Sequence, residues 1–127
     1  IQILDSSFKE TVTIKGPDFF IPAYLEDDGD LSPIIDKTKE AYFSIQSNAS
    51  ELWVLYDGRL SFDSTKDPGP ENVHMNKIFV FDWDGNFLRS YKLDIPILGR
   101  FTVDWKSMTL WGFNTMEESS LVRFELF

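Results

Sequence analysis

Short apolar and alternating runs dominate the hydrophobic pattern of the chain and predict β-strands throughout. Residues 11–15 (TVTIK) alternate with a period of two, as a half-buried strand does. Residues 51–56 (ELWVLY) and 77–82 (KIFVFD) are each strongly apolar over the length of one strand. The pattern predicts nine strands, at residues 1–5, 11–15, 41–47, 51–56, 77–82, 87–93, 101–104, 109–113 and 121–126.

Turn-forming residues separate several of the predicted strands. Residues 48–50 (NAS) and the dipeptide Asp57-Gly58 indicate turns. Residues 83–86 (WDGN) indicate a tight hairpin, in which Gly85 supplies the positive φ that such turns need. Since the turns are short and polar, we expect the flanking strands to pair antiparallel.

Two stretches of the chain lack a clear strand pattern. Residues 59–75 are polar and contain Pro68-Gly69-Pro70, which predicts a long loop. Residues 16–40 contain three prolines and the acidic run 26–30 (EDDGD), and we expect a long connection here, with one helical turn possible at residues 36–40. Loops of this length are uncommon in compact domains unless they have a function.

A repeat in the order of the strands indicates the architecture. Residues 51–55 (ELWVL) resemble residues 109–113 (TLWGF), and residues 77–82 resemble residues 121–126 and 1–5. Self-similarity of this kind is typical of β-propellers, whose blades have four antiparallel strands, A to D from the inside outward. The predicted fold class is therefore all-β, a partial propeller of about two to three four-stranded blades. A two-sheet sandwich with coincidental similarity is the alternative.

The repeat assigns residues 1–127 to a single partial propeller domain. Residues 1–15 supply strands C and D of one blade, residues 41–93 a full blade, and residues 98–127 strands A to C of the next. A blade needs about 40–45 residues and closure needs four or more blades, so we expect a homo-oligomer or a fragment of a larger propeller. The chain begins at Ile1 without an initiator Met or a signal peptide, which indicates processing or truncation.

Composition and charge argue against several classes of function. Aromatic residues make up 16% of the chain, which suits strands with large buried side chains. The net charge of −9 argues against nucleic-acid binding and against adhesion to anionic lipid. No apolar run approaches the roughly 20 residues of a membrane span. Cysteine is absent, which removes disulfides, thiolate nucleophiles and Cys-type zinc sites.

Three segments are specific enough to indicate a family. Residues 51–58 (ELWVLYDG), 77–86 (KIFVFDWDGN) and 91–94 (YKLD) resemble the TolB-like six-bladed propeller family, with the VFDWDGN hairpin as the most diagnostic piece. The resemblance covers residues 41–127 well and residues 1–40 loosely. It implies the C-terminal portion of such a propeller, no established enzyme activity, and an exported protein of the bacterial envelope, in the periplasm or associated with the outer membrane, like the many lipoproteins of this family.

No candidate catalytic or metal-binding pattern stands out. Residues 82–86 (DWDGN) begin like a calcium loop, but Tyr91 stands where the EF-hand pattern needs Glu, and a hairpin turn explains the residues. The acidic run 26–30 is better explained as a solvated loop than as a cation site. His74 is the single histidine and no Gly-x-Ser-x-Gly motif accompanies it. We therefore predict no catalytic residue, no metal site and no cofactor, while paired carboxylates stay open because 21 acidic residues guarantee chance pairs.

The tryptophans have two interpretations. Any of the four can stack on a sugar, but Trp53 and Trp111 occupy the same place in the repeat. We therefore predict that both belong to the hydrophobic core.

Blade geometry predicts where a ligand binds. The A-to-B and C-to-D turns of a blade lie at one face, and here they are the short segments 48–50, 83–86 and 105–108. The long segments lie at the other face, and they are residues 16–40, 57–76, 94–100 and 114–120. Binding residues concentrate on loops held by a rigid scaffold, so the loop-rich face is the predicted interaction surface. Its predicted ligand contacts are Tyr24, Asp57, Arg59, His74 and Arg100.

Three functions are compatible with the sequence, in descending order. The first is a non-enzymatic binding module of the bacterial envelope, with a protein or carbohydrate ligand. The second is a scaffold that assembles through open blade edges. The third is a hydrolase or lyase with its site in the propeller channel, which a pocket holding His74 beside two carboxylates would favour.

Overall fold

The computed structural model describes residues 1–18, 20–34, 37–39, 41–58, 75–114 and 120–126. These residues form eleven strands and no helix, so the all-β class is confirmed. The strands are β1 (Gln2–Leu4), β2 (Glu10–Thr13), β3 (Tyr24–Asp27), β4 (Asp30–Pro33), β5 (Tyr42–Ser47), β6 (Glu51–Tyr56), β7 (Lys77–Asp82), β8 (Phe87–Lys92), β9 (Phe101–Asp104), β10 (Thr109–Asn114) and β11 (Ser120–Glu125).

The strands form four small antiparallel sheets. The largest has the order β5-β6-β7-β8, which is the A-to-D order of one blade. Strands β9, β10 and β11 form a three-stranded sheet with β10 in the middle, and β1 pairs with β2. Strands β3 and β4 form a separate two-stranded sheet. Small antiparallel sheets of this kind confirm the predicted class of partial propeller blades, while the assignment of residues 1–127 to one domain stays a prediction.

Short side chains at the strand ends explain the tight turns. Asn48 and Asp104 each accept hydrogen bonds from the amides two and three residues further along the chain, at 2.8–3.4 Å. Asp82 accepts from the Asn86 amide at 2.8 Å, and Gly85 between them has a φ of +87°. Hydrogen bonds from Asn86 lower the pKa of Asp82. Each reversal is therefore encoded locally by Asx residues, as the sequence predicts.

The four-stranded sheet is covered on both faces. Alternate side chains of β6 and β7 point to opposite faces, because the side-chain period of a strand is two. One set packs against the β9–β11 sheet, and it includes Trp53, Leu55, Ile78 and Val80. The other set packs against β1 and β2, and it includes Leu52, Val54, Phe79 and Phe81. Burial on both faces explains why these two strands are almost continuously apolar.

Equivalent strands and turns of successive sheets lie together, which gives the stack its radial order. Strand β5 lies against β9, and each is the first strand of its sheet. Trp105, in the turn after β9, makes an edge-to-face contact with Trp53 at a centroid distance of 5.2 Å. A Cβ added to Gly85 would lie 2.9 Å from Val12 of β2, so the β7–β8 turn approaches the preceding sheet closely.

The prediction of a long connection without strands at residues 16–40 is wrong. Strands β3 and β4 form a hairpin there, in which Asp27 pairs with Asp30 across a two-residue turn. Both turn residues have positive φ, +52° at Asp28 and +87° at Gly29. An Asp-Gly dipeptide is among the strongest short signals of a hairpin. The surrounding prolines and carboxylates are typical of a solvated loop, and they led to the wrong prediction.

The helical turn that the sequence allows at residues 36–40 is covered only in part by the described residues, of which 37 and 38 form one turn with Ile34. The amides of Lys37 and Thr38 both donate to the carbonyl of Ile34, at 3.1 Å. Residues 36 and 40 lie outside the described part of the chain, as do residues 59–74 of the predicted long loop.

The core prediction holds for one of the two equivalent tryptophans. Trp53 is fully buried between two sheets. Trp111 lies partly exposed on the outer face of the β9–β11 sheet, beside the exposed Phe113. The two residues occupy the same position in their strands, but in the described part of the chain no further sheet covers Trp111.

Candidate interaction face

The connections between strands meet at two opposite ends of the stacked sheets. At one end, Trp83 Nε1 of the β7–β8 turn donates to the Asn48 carbonyl of the β5–β6 turn at 3.1 Å. At the other end, the Ile97 amide donates to the Met75 carbonyl at 3.1 Å, and the neighbouring Leu98 amide to the Phe113 carbonyl at 2.8 Å. Segments that end in long connections therefore lie together at this end. We call it the loop-rich face, and its described residues are 16–18, 20–34, 37–39, 57–58, 75–76 and 93–100.

The β3–β4 hairpin is the most exposed element of the loop-rich segments. All eight residues of its two strands are solvent-exposed. The large apolar residues among them are Tyr24, Leu25 and Leu31, with exposed fractions of 51%, 60% and 67%. Its strands pair with each other and with no other described strand. The hairpin therefore presents apolar side chains to solvent, on an element outside the stacked sheets.

The register of the hairpin divides its side chains between two faces. Tyr24 stands opposite Pro33, and Glu26 opposite Leu31, so these four side chains share one face. We call the group Tyr24, Leu31 and Pro33 the apolar ribbon. The other face carries the pair Asp27 and Asp30 near the tip and Leu25 opposite Ser32 at the base.

Hydrogen bonds close the base of the hairpin. The Ile34 amide donates to the Ala23 carbonyl at 2.8 Å, which extends the pairing by one step. The Thr38 hydroxyl donates to the same carbonyl at 2.6 Å and accepts from the Ala23 amide at 3.2 Å. Thr38 is itself buried. The base is therefore held by side-chain bonds in addition to the ladder, which limits how freely the hairpin can move.

A polar cluster ties the connection to the four-stranded sheet. Asp18 accepts a hydrogen bond from the Tyr56 hydroxyl and two from Lys39 Nζ, the latter at 3.1 and 3.2 Å. Tyr56 is buried at the end of β6, where its ring stacks on Phe79 at 4.6 Å. Residues 18 and 39 lie on the two sides of the hairpin in sequence, so this group, which we call the anchor cluster, joins both ends of the connection to one core residue.

Electrostatics in the anchor cluster follow from these contacts. The hydrogen bonds from Tyr56 and then Lys39 lower the pKa of Asp18. Burial, reinforced by the Asp18 carboxylate, raises the pKa of Tyr56 well above its usual range. Burial likewise raises the pKa of Tyr42, whose ring lies 5.5 Å from that of Tyr56. At neutral pH the cluster therefore contains a carboxylate and neutral phenols, so the tyrosines act as donors.

We expect Asp18→Asn to destabilise the protein at neutral pH and to make it less sensitive to acid. The folded pKa of Asp18 is lowered, so its contribution is present at pH 7 and is lost as the pH falls below about 4. The carboxylate is 40% exposed, so solvent screening limits the loss to about 1 kcal/mol or less. Urea denaturation of wild type and variant at pH 7 and pH 3 checks this.

The exposed carboxylate of Asp84 provides the matched control, since it lies on the opposite end of the sheets. Asp84→Asn should leave the free energy of unfolding within about 0.5 kcal/mol of wild type at both pH values. An Asp18→Asn deficit of equal size at pH 7 and pH 3 would contradict the assigned role of the carboxylate.

The structure places three of the predicted ligand contacts in different surroundings. Tyr24 is exposed on the apolar ribbon. Asp57 is buried, with an exposed fraction of 6%, and its amide donates to the Ala41 carbonyl at 2.8 Å. Arg100 is exposed and lines a groove of about 200 Å³ on the outer face of the β9–β11 sheet. Arg59 and His74 lie outside the described residues.

Sequence reasoning selected Tyr24 by residue type but missed the element that carries it. The sequence does not indicate Leu25 and Leu31, because the prolines and carboxylates of their segment predict a connection without strands. The Asp28-Gly29 dipeptide between two short runs is the signal that identifies them. Asp18 and Tyr56 are 38 residues apart, and no local pattern links them.

Among the described residues, no group of three or more His, Cys, Asp or Glu side chains is placed to hold a metal ion. Asp82, at the start of the calcium-like segment, instead binds the amide and the side chain of Asn86. In the same part of the chain, no helix has the length and apolarity needed to cross a membrane.

Small antiparallel sheets, stacked face to face with their first strands together, define a protein of the β-propeller class. A sequence model of the TolB-like 6-blade propeller-like family matches residues 2–106. The chain belongs to this family. The match includes the amino-terminal segment, which the resemblance of individual motifs covered only loosely, and it ends before β10. No curated protein and no solved structure matches the chain.

Proposed function

We propose that the chain is a non-enzymatic binding module that recognises another protein through its loop-rich face. The observation that carries this proposal is the β3–β4 hairpin. Its apolar residues are exposed, and hydrogen bonds with Thr38 fix its base. Exposed apolar surface on an otherwise well-packed protein is typical of interaction sites. Loops and hairpins on a rigid β-scaffold are the usual place for such sites.

The energetics of the hairpin support the same role. A two-stranded hairpin that packs on no further strand is at best marginally stable in water. The buried Thr38 and the anchor cluster compensate by fixing its base and both ends of its connection. A segment ordered in this way loses less conformational entropy when a partner covers it, so more of the contact energy remains for binding.

Assembly through open blades is the second candidate function. The β9–β11 sheet has three strands where its neighbour has four, and its outer face carries the exposed Phe113 and Leu121 beside Trp111. A sheet face and a strand edge of this kind favour association with further strands or a second copy. We therefore propose homo-oligomerisation as an additional property. No described observation favours the hydrolase or lyase alternative.

Family membership supports a proposal for the location. We propose that the protein is exported and acts at the bacterial envelope, in the periplasm or associated with the outer membrane. Fractionation of cells that produce the protein, with detection in the periplasmic, membrane and cytoplasmic fractions, tests it. Recovery in the cytoplasm alone would contradict this location.

A photo-reactive amino acid at position 24 should cross-link to a partner protein that the same group at position 83 does not reach. Tyr24 lies on the apolar ribbon, whereas Trp83 is exposed at the opposite end of the sheets. Once mass spectrometry identifies the adduct, Tyr24→Ala and Leu31→Ala should each weaken binding of that purified partner about tenfold, as expected for truncated apolar contacts. Isothermal titration calorimetry measures the affinities.

The controls are Trp83→Ala and Leu88→Ala, which remove exposed apolar side chains away from the hairpin. Both should bind within about twofold of wild type. If the control variants lose affinity while the hairpin variants keep it, the loop-rich face is not the interaction surface. Protection of position 24 by a soluble carbohydrate, with no protein adduct, would replace the protein ligand with a sugar.

A further inference from the structure

We infer that the partner of the loop-rich face is a polypeptide surface with an apolar strip flanked by Lys or Arg residues, which covers the apolar ribbon. This inference rests on the proposed binding function and adds the chemistry of the partner. It combines two observations on the β3–β4 hairpin, the unpartnered apolar ribbon and the arrangement of carboxylates around it.

The apolar ribbon fits an elongated strip. Tyr24 and Pro33 are directly opposite across the two strands, and Leu31 follows two residues nearer the tip on the same face. Side chains at these positions lie within reach of one another and form a continuous surface. The ribbon has the width of two strands, about 5 Å between their axes, which matches a groove or a strand edge rather than a deep pocket.

The hairpin itself carries only negative charge. Residues 23–34 contain no Lys or Arg, and their four carboxylates are Glu26, Asp27, Asp28 and Asp30. Lys37 and Lys39 follow the base, where Lys39 is paired with Asp18. Glu26 shares the face of the apolar ribbon, next to Leu31. Any surface that covers Tyr24 and Leu31 therefore approaches several carboxylates, and opposite charge on that surface favours the encounter.

One pair of carboxylates destabilises the free hairpin. Asp27 and Asp30 are directly opposite in the register, and like charges at such positions repel. Neither residue forms an ion pair with another described residue. This pair lies on the face opposite the apolar ribbon, next to the two-residue turn, so only a basic residue of the partner that reaches around the tip would relieve the repulsion. On the ribbon face itself, Glu26 is the carboxylate that a basic residue of the partner would meet.

The same charges disfavour two other occupants. A second copy of the chain also carries a net charge of −9, so its average surface repels the hairpin. A membrane with anionic headgroups repels it for the same reason. A basic polypeptide is the occupant that satisfies both the apolar ribbon and the carboxylates.

The test uses the whole chain and synthetic probes of about 12 residues that alternate Lys with Leu, Glu with Leu, or Lys with Ser. Calorimetric titration should give micromolar affinity for the Lys-Leu peptide, with at least tenfold weaker binding of the other two. Raising NaCl from about 0.05 to 0.5 M should weaken Lys-Leu binding several-fold, because salt screens exposed charges.

Two variants separate the apolar and the charged contributions. Tyr24→Ser with Leu31→Ser should weaken Lys-Leu binding about tenfold and leave its salt dependence in place. Glu26→Gln should remove much of the salt dependence, because Glu26 is the carboxylate that shares the face of the apolar ribbon. The controls are Leu88→Ser and Asp84→Asn, which alter exposed residues away from the hairpin and should bind like wild type.

Several outcomes overturn the inference. Equal affinity for the Lys-Ser peptide, or no effect of the Tyr24 and Leu31 changes, would show non-specific polyanion behaviour. Absence of Lys-Leu binding, or preference for the Glu-Leu peptide, would show that the partner is not basic; cross-linking at position 24 to a protein would then still support the proposed function. Binding to phosphatidylglycerol vesicles, or a dimer that Tyr24→Ser dissociates, would assign the ribbon to a membrane or a second copy.

Discussion

Replacing Trp53 by Ala should cost about 3–5 kcal/mol of unfolding free energy, which is the largest effect we expect from any single substitution considered. Trp53 is fully buried between the four-stranded sheet and the β9–β11 sheet. Its ring stacks on Tyr91 at 5.1 Å and meets Trp105 edge to face at 5.2 Å. The substitution therefore removes a large side chain from the contact between two sheets, where the surrounding strands cannot close the cavity. Urea denaturation followed by circular dichroism measures the loss.

The polar neighbours of Trp53 should keep their hydrogen bonds to each other after the substitution. Trp53 Nε1 donates to Glu51 at 2.8 Å, but the same carboxylate also forms two bonds with Arg89, at 2.8 and 2.9 Å. Hydrogen bonds from Arg89 and then Trp53 lower the pKa of Glu51 against the opposing effect of burial. Because Arg89 remains, Glu51 keeps a partner, and the expected loss comes from packing rather than from an unpaired charge.

The matched control is Trp83→Ala, which removes the same ring from a turn where it is 41% exposed. This change should cost about 1 kcal/mol or less, because the ring contributes one hydrogen bond to the Asn48 carbonyl and little buried area. If Trp53→Ala leaves too little folded protein to measure, Trp53→Phe should give a loss of about 1–3 kcal/mol. Similar losses for the two alanine variants would show that the sheets do not pack against each other through Trp53.

Gly112→Ala should destabilise the protein by about 1–3 kcal/mol, although it adds a single methyl group. A Cβ at this position would lie 2.6 Å from Ile97 Cγ2 and 2.9 Å from its Cβ. Ile97 is buried, and its amide is held by the Met75 carbonyl, so it has little room to move. Gly112 does not have a positive φ, unlike the other described glycines, so the expected cost comes from the close approach.

A double-mutant cycle with Ile97→Ala isolates this contact. Ile97→Ala alone should cost about 2–5 kcal/mol, because it truncates a buried side chain. On that background, Gly112→Ala should cost clearly less than in the wild type, since the γ-methyl group at 2.6 Å is gone and the Ile97 Cβ at 2.9 Å remains as the close contact. Additive effects in denaturant titrations would mean that the 94–100 connection does not press against β10.

These two contacts explain how the loop-rich face is positioned. Ile97 packs the connection between the two larger sheets onto β10, and Trp53 joins the sheets themselves. The connection bearing the hairpin is attached separately, through the anchor cluster on Tyr56. Substitutions that weaken the stacking of the sheets should therefore lower the free energy of unfolding. Substitutions on the hairpin should affect binding and leave the core unchanged.

Local patterns predicted the larger sheets well. The runs at residues 51–56 and 77–82 correspond closely to β6 and β7, because apolar side chains on both faces of a strand leave a continuous pattern. Asn48, Asp82 and Asp104 form their turns with residues at most four positions away, so short sequence windows contain the whole interaction.

The hairpin was missed because its sequence resembles a solvated loop. Its eight residues are all exposed, so no alternation of buried and exposed side chains is imposed on β3 and β4. Four carboxylates near the tip also favour the interpretation of this segment as a solvated loop, which is wrong. The candidate site was accordingly found in part, with Tyr24 selected and Leu31 overlooked.

By itself, the sequence determined that the chain pairs short strands in the four-strand order of a propeller blade, and where most of those strands turn. Both are consequences of interactions within a few residues or between adjacent strands. Only the tertiary structure decided that Trp53 is buried while Trp111 is partly exposed, since the two have the same local sequence setting and differ in whether another sheet covers them. It also decided that Asp18, Lys39 and Tyr56 meet, because contacts between residues far apart in the chain depend on how the sheets stack.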